Sequence, residues 1–244
     1  MRIAAVIIAF GSVALFFGCS TYIPPSGRAD LGNISSFTMQ ESFAAKPAAV
    51  FPASIAAVRV QAPKYRSYFM EREGGVYGDG RYSVITVKEV EDESDFERIS
   101  KMPDVGGLVG ISRLLLPQTL KSDRELREAA ARLKADMLLL YTFDTSFHDN
   151  DESVALNVIT LGLSPTRRVF VHVAASALLI DTRTGFIYAA LESNEKRDVR
   201  TNAWESRETA DRARRDAEKA AFKSLAGEFE KNWSKIVDRA KKGA

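Results

Sequence analysis

One thiol and a small group of clustered carboxylates are the side chains in this chain with chemistry to offer. Cys19 is the only cysteine among 244 residues. It closes an apolar run, Ile3 to Phe17, that follows Met1-Arg2. Asp144, His148, Asp149, Asp151 and Glu152 form a dense acidic cluster. Carboxylate oxygens at that density can hold Ca²⁺. Their spacing does not match an EF-hand loop, so a solvated loop between strands is the expectation. His172 lies inside a β-rich run, Val169 to Ala175. A hydrogen-bonded strand histidine is expected there rather than a general base. Gly106-Gly107-Leu108-Val109-Gly110 lacks the following Lys-Ser/Thr of a phosphate-binding loop. No Gly-x-Ser-x-Gly nucleophile elbow occurs. These residues predict no catalytic group, no metal site and no cofactor, and a chain that is not an enzyme.

The thiol has a clearer setting. Arg2 supplies a positive start, Ile3 to Phe17 an apolar stretch, and Gly18 a small residue before a cleavage point, which is the order of a secretory signal. The apolar run is short for a spanning helix, which needs about 20 residues. An exported chain of this length with one cysteine has no internal disulfide. The segment Leu15-Phe16-Phe17-Gly18-Cys19 resembles the lipobox of bacterial lipoproteins. That resemblance implies lipidation of Cys19 and cleavage that leaves it as the first mature residue. Ser20 after it implies sorting to the outer membrane, with the protein facing the periplasm. Ordinary cleavage near Gly18-Cys19-Ser20, or retention of the segment as an anchor helix, are the alternatives.

Charge and composition narrow the classes of partner. The net charge is +2, with 27% charged and 45% hydrophobic residues. These values suit a soluble globular domain, and no basic field points to nucleic acid. Residues 1–18 read as a signal peptide. Residues 19–52 read as the lipidated N-terminus and a flexible tether, rich in Pro, Ser and Ala, with a reach of about 30 Å. Residues 53–242 read as a single domain.

Within that domain the pattern alternates between strands and helices. Strands are predicted at Ile55 to Gln61, Tyr82 to Val90, Ile111 to Leu116, Met137 to Phe143, Val169 to Ile180 and Phe186 to Leu191. Glu91 to Lys101 reads as a short helix. Ser122-Asp123-Arg124-Glu125 is a capping box that opens another. Ala203 to Lys242 reads as one long helix or two. The order β-β-α-β-α-β-β-β-α predicts an α/β or α+β sandwich, a mixed sheet flanked by helices with a long C-terminal helix.

Two runs carry a family resemblance. Ala129-Ala130-Ala131-Arg132-Leu133-Lys134-Ala135-Asp136-Met137-Leu138-Leu139-Leu140 is one, and Ala177-Leu178-Leu179-Ile180-Asp181-Thr182-Arg183-Thr184-Gly185 is the other. They resemble helix-to-strand and strand-to-turn joins of periplasmic lipoproteins, including the curli secretion channel subunit and the lipoprotein activators of penicillin-binding proteins. The chain is also similar to the uncharacterised rhombotarget-type lipoproteins. The resemblance implies a membrane-anchored lipoprotein that acts by binding another envelope protein. An oligomeric secretion or export component is the alternative reading, and an enzyme of unknown type the second. Two apolar surfaces are candidates for a partner: Leu161 and Leu163 in the stretch Ser153 to Pro165, and Phe229, Trp233 and Ile236 on the long helix. Radiolabelled palmitate supplied to growing cells is expected to enter the parent protein and not Cys19→Ser, and labelling of the variant would refute the lipid assignment.

Overall fold

The computed structural model describes residues 22–35, 38–151, 167–201 and 206–243. The signal region, Cys19, and the apolar stretch that holds Leu161 and Leu163 lie outside the described residues. The elements run α1 (Leu31–Ile34), α2 (Met39–Ala44), β1 (Ala53–Gln61), α3 (Tyr68–Glu73), β2 (Val76–Tyr77), β3 (Asp79–Gly80) and β4 (Ser83–Ile85). There follow α4 (Glu93–Ser100), β5 (Val105–Gly110), a 3₁₀ turn (Arg113–Leu115), β6 (Thr119–Leu120) and α5 (Asp123–Arg132). The C-terminal part is β7 (Met137–Asp151), β8 (Arg167–Asp181), β9 (Ile187–Thr201) and α6 (Ser206–Gly243). The fold is α+β, with a mixed sheet, flanking helices and a long C-terminal helix, as the sequence predicts.

The sheet order is β2-β4-β1-β7-β8-β9, with β5 also paired to β1. β1 runs parallel to β5 and β7 and antiparallel to β4. β7, β8 and β9 form an antiparallel meander of 15-residue strands. Only Met137 to Leu140 of β7 pair with β1, so the three-stranded ribbon extends past the rest of the sheet. Strand alternation divides the core. Met137, Leu139, Tyr141 and Phe143 enter the layer beneath α4 and α6, while Leu138 and Leu140 enter the layer beneath α5.

α5 begins on the capping box read from the sequence, with Ser122 and Glu125 satisfying each other's backbone amides. α6 is one unbroken helix of 38 residues, about 57 Å long. Gly227 sits inside it with open space at the Cβ position and marks no break. Ala210, Ala213, Ala217 and Ala221 are buried on the face toward the sheet. Their small side chains let the helix axis come close to β8 and β9.

Several local readings need correction. The stretch Ile111 to Leu116, predicted as a strand, is irregular chain followed by the 3₁₀ turn, and the strand is the glycine-rich Val105–Gly110. A Cβ at Gly106 would lie 2.8 Å from the Pro52 carbonyl oxygen, so the glycine is there for close approach to β1. The strand predicted over Tyr82 to Val90 shrinks to Ser83–Ile85. Beyond it the chain turns inward to bring Glu89 beneath α6. Asp144, His148, Asp149 and Asp151 belong to β7, paired with β8 from Ala174 back to Arg167, and do not form a loop.

The expected tether also shortens. From Tyr22 to Ala29 the chain is fastened to the domain. The Tyr22 ring lies 5.5 Å from Phe147 and 5.7 Å from Tyr68. The Tyr68 amide donates to the Ile23 carbonyl, and the Ser26 amide to that of Arg66. Ala48 N–H donates to Asp181 at 2.7 Å, so residues leading into β1 are held as well.

Phe229, Trp233 and Ile236 are buried in the main core, at 2%, 4% and 5% exposure. Phe229 and Trp233 stack with ring centroids 5.3 Å apart, and the indole N–H donates to the Pro103 carbonyl at 2.7 Å. These residues cover the sheet of their own chain and leave no surface for a partner, which corrects that reading. Phe229→Ala is expected to cost about 3–5 kcal/mol, read as a lower denaturant midpoint with an unchanged slope.

Candidate functional site

The face of β7–β9 away from α6 is only partly covered. On β8, Val171, Val173, Ala175, Ala177 and Leu179 are buried under the helix, while His172, Ala174, Ser176 and Leu178 on the other face are half-buried. The N-terminal segment closes one side of this open face. Ala29 and Ile34 are buried against it, and the Ala29 amide donates to the Thr142 hydroxyl at 3.0 Å. Asp30 caps α1 by accepting from the Asn33 amide. The result is a trough of about 670 Å³ between residues 28–35 and β9. Leu140, Leu178, Ile180 and Ala190 give it an apolar floor, and Arg28, Asp30 and Glu192 lie along its rim. Glu192 accepts from the Ser176 hydroxyl at 3.2 Å. Such a cleft, apolar below with few polar groups at the edge, can take up an extended apolar segment.

What holds the trough's strands in place lies on the opposite side of the sheet. Arg59 and Arg214 are both buried, at 2% and 0% exposure. Arg59 sits on β1 inside an otherwise apolar strand. Its guanidinium lies 3.4 Å from Glu218, 3.7 Å from Glu91 and 3.8 Å from Glu89, and 4.6 Å from the centre of the Phe143 ring. Arg214, on α6, reaches Glu218 and Asp211 at 3.0 Å and also contacts Glu89. Thr145 donates to Glu218 at 2.9 Å, and the Tyr141 hydroxyl donates to Glu91 at 3.1 Å. One cluster thus ties β1, β7, the segment after β4, and α6 together.

Burial and charge pull against each other within the cluster. Burial alone would lower the pKa of Arg59, but Glu91, Tyr65, Glu218 and Glu89 outweigh it and keep the guanidinium protonated. Arg214 is held protonated in the same way by Glu218, Glu89 and Asp211. Burial pushes Tyr65 up to about 12 and Tyr141 well above the usual phenol range. Glu89 is raised above its ordinary 4.5, because its loss of water outweighs the attraction of Arg214 and Arg59.

The sequence-predicted residues fall in scattered places. Asp144 is exposed and lies 4.0 Å from Arg28 at the edge of the trough. His172 is half-buried on β8, opposite Lys196. Among the described residues no group of three or more His, Cys, Asp or Glu side chains converges as a metal site. Glu152 lies outside the described residues, as do Cys19, Leu161 and Leu163. The trough and the ion cluster were not read from the sequence. Arg59 within the apolar run Ile55 to Val60 is one signal that could have revealed the cluster. The i, i+3 and i+4 spacing of Asp211, Arg214 and Glu218 beside a stripe of alanines is the other.

No family model matches the chain, and no curated protein matches it. Among solved structures it is similar to the neuraminyllactose-binding hemagglutinin homolog from Helicobacter pylori, at 13% identity and a TM-score of 0.37. That overlap covers 81% of this chain and 91% of the other. A likeness of that size carries no argument about function.

The raised Glu89 sets a direction for stability against pH. A carboxylate whose folded pKa exceeds its unfolded value binds more protons in the folded state. Stability is therefore lost as pH rises from 4.5 through the folded pKa. Glu89→Gln removes that dependence. The difference in thermal midpoint between Glu89→Gln and the parent is expected to shift toward the variant between pH 4 and pH 7. A gap that stays constant, or moves toward the parent, contradicts the assignment.

Proposed function

We propose that this protein is a lipid-anchored lipoprotein of the outer membrane, facing the periplasm, that acts by binding another envelope protein. The trough on the open face of β7–β9 is the observation that carries the binding reading. Its apolar floor fits an extended apolar segment, and its two carboxylates to one guanidinium at the rim favour a segment flanked by basic residues. The cysteine at the end of an apolar leader supports the anchor. The chemistry asked of the site is recognition, with shape and desolvation supplying affinity and the rim charges supplying register.

The reading is tested in cells that make the full-length protein with a photo-crosslinking residue at position 192. The expected result is one discrete adduct whose crosslinked segment, sequenced by mass spectrometry, is apolar and belongs to an envelope protein. Ala190→Arg, at an exposed position of the trough, is expected to reduce that adduct at least tenfold without changing the thermal midpoint. An adduct between two copies of this chain would favour the oligomeric export component instead. Absence of any adduct, or indifference to Ala190→Arg, would overturn the assignment of the trough.

A further inference from the structure

The first described residues are fixed to the domain, and that limits how far a lipid on Cys19 can stand from it. Tyr22 packs between Tyr68 and Phe147, and Ile23, Ser26 and Gly27 accept or donate backbone hydrogen bonds to Tyr68, Arg66 and Ala62. Cys19 is three residues before Tyr22. Three peptide units span at most about 11 Å, whatever conformation they adopt. The sulfur of Cys19 is therefore confined to the neighbourhood of Tyr22 and Phe147.

That neighbourhood lies at one end of the molecule. Phe147 is on the part of β7 that runs past β1, paired with Val171 of β8, which in turn pairs with Arg197 of β9. β7 continues four residues beyond Phe147 to Asp151, a rise of about 14 Å. The other end of the molecule carries the turn after β8 and the start of β9 at Ile187. On β9, Ile187 is ten residues from Arg197, or about 30 Å.

We infer that the Tyr22–Phe147 end of the domain, with the described ends of β7, β8 and β9, rests against a phospholipid surface, while the Ile187 end stands away from it. This rests on the lipid-anchored reading proposed above. The charge at this end is mixed, with Lys196 and Arg197 exposed beside Asp198. The short covalent anchor is what holds this end at the surface. A free tether of the length expected from the sequence would let the domain swing far more widely than a link of two residues, Ser20 and Thr21.

The test uses the full-length acylated protein in vesicles of phosphatidylethanolamine and phosphatidylglycerol. Acylation consumes the native thiol, so Arg197→Cys and Ile187→Cys each offer a single site for a fluorophore. Both positions are exposed. A headgroup-attached quencher is expected to quench the label at 197 at least threefold more than the label at 187. Inserting a 20-residue Gly/Ser segment between Thr21 and Tyr22 is expected to abolish the difference. Equal quenching without the insertion, or stronger quenching at 187, would overturn the orientation. Mass spectrometry of the N-terminal peptide separates the two claims. A protein without the acyl mass refutes the anchor and the orientation with it, whereas an acylated protein with equal quenching refutes the orientation alone.

Discussion

Two guanidinium groups without access to water set the terms for the rest of this molecule. Arg59 and Arg214 come from a strand and a helix 155 positions apart in sequence, and both meet Glu218 and Glu89. A buried ion pair of this kind adds little net stability, because desolvation offsets most of the attraction. Its effect is on specificity. Any packing of α6 that leaves one partner unpaired strands a charge in the core, which costs several kcal/mol. The alanine stripe of α6 would tolerate sliding along the sheet, since alanines are nearly interchangeable. The ion cluster does not, and so it fixes the register of the helix. Through Thr145 and Tyr141 it fixes β7 as well.

With β7 placed, the trough follows from a simple asymmetry. A helix of 38 residues covers one face of the ribbon, and among the described residues the other face receives α5 at its base and, beyond it, the segment from Ala29 to Ile34. That segment is seated by the Thr142 hydroxyl, which also donates to Gln61. Gln61 in turn bonds both the amide and the carbonyl of Phe143 with its side chain. It occupies the place where β1 leaves β7 and satisfies backbone groups that would otherwise be unpaired there. The same residues that end one strand pair therefore anchor the wall of the cleft.

The fold was legible in the sequence to the extent that it depends on periodicity and capping. β7, β8 and α6 were visible because their apolar residues recur at strand or helix spacing, and α5 because Ser122 and Glu125 form a capping box. β5 was hidden because its glycines serve a close backbone approach that no propensity records. The strand end at Ile85 was hidden because Lys88 and Val90 continue an alternating pattern that the buried arginines override by drawing Glu89 inward. The role of Phe229, Trp233 and Ile236 was ambiguous for a physical reason. An apolar stripe states that a face is buried, but not whether its own sheet or another chain buries it. The trough was illegible because it is assembled from the less apolar phase of three strands and from a segment that composition alone marks as a linker.

The parallel pairing of β1 with β7 has a consequence for how the chain folds. Gln61 and Phe143 meet across 82 residues, whereas β7 pairs with β8 and β8 with β9, each the next strand in sequence. Short-range contacts form first, because closing a long loop carries a larger entropic cost before any contact offsets it. Loop closure therefore favours early formation of the meander, and the β1–β7 pairing is the costly long-range step. Synthesis proceeds from the N-terminus, so the apolar strand Ile55 to Val60 is the first sheet segment to exist, and it meets β4 and β5 long before its other neighbour, β7, is made. Until Met137 to Leu140 arrive, the edge of β1 that faces β7 is unpaired and open to other chains. The charge of Arg59, on that strand, acts as a gatekeeper during this interval, and its set of counter-charges, begun by Glu89 and Glu91, is complete only when α6 delivers Glu218.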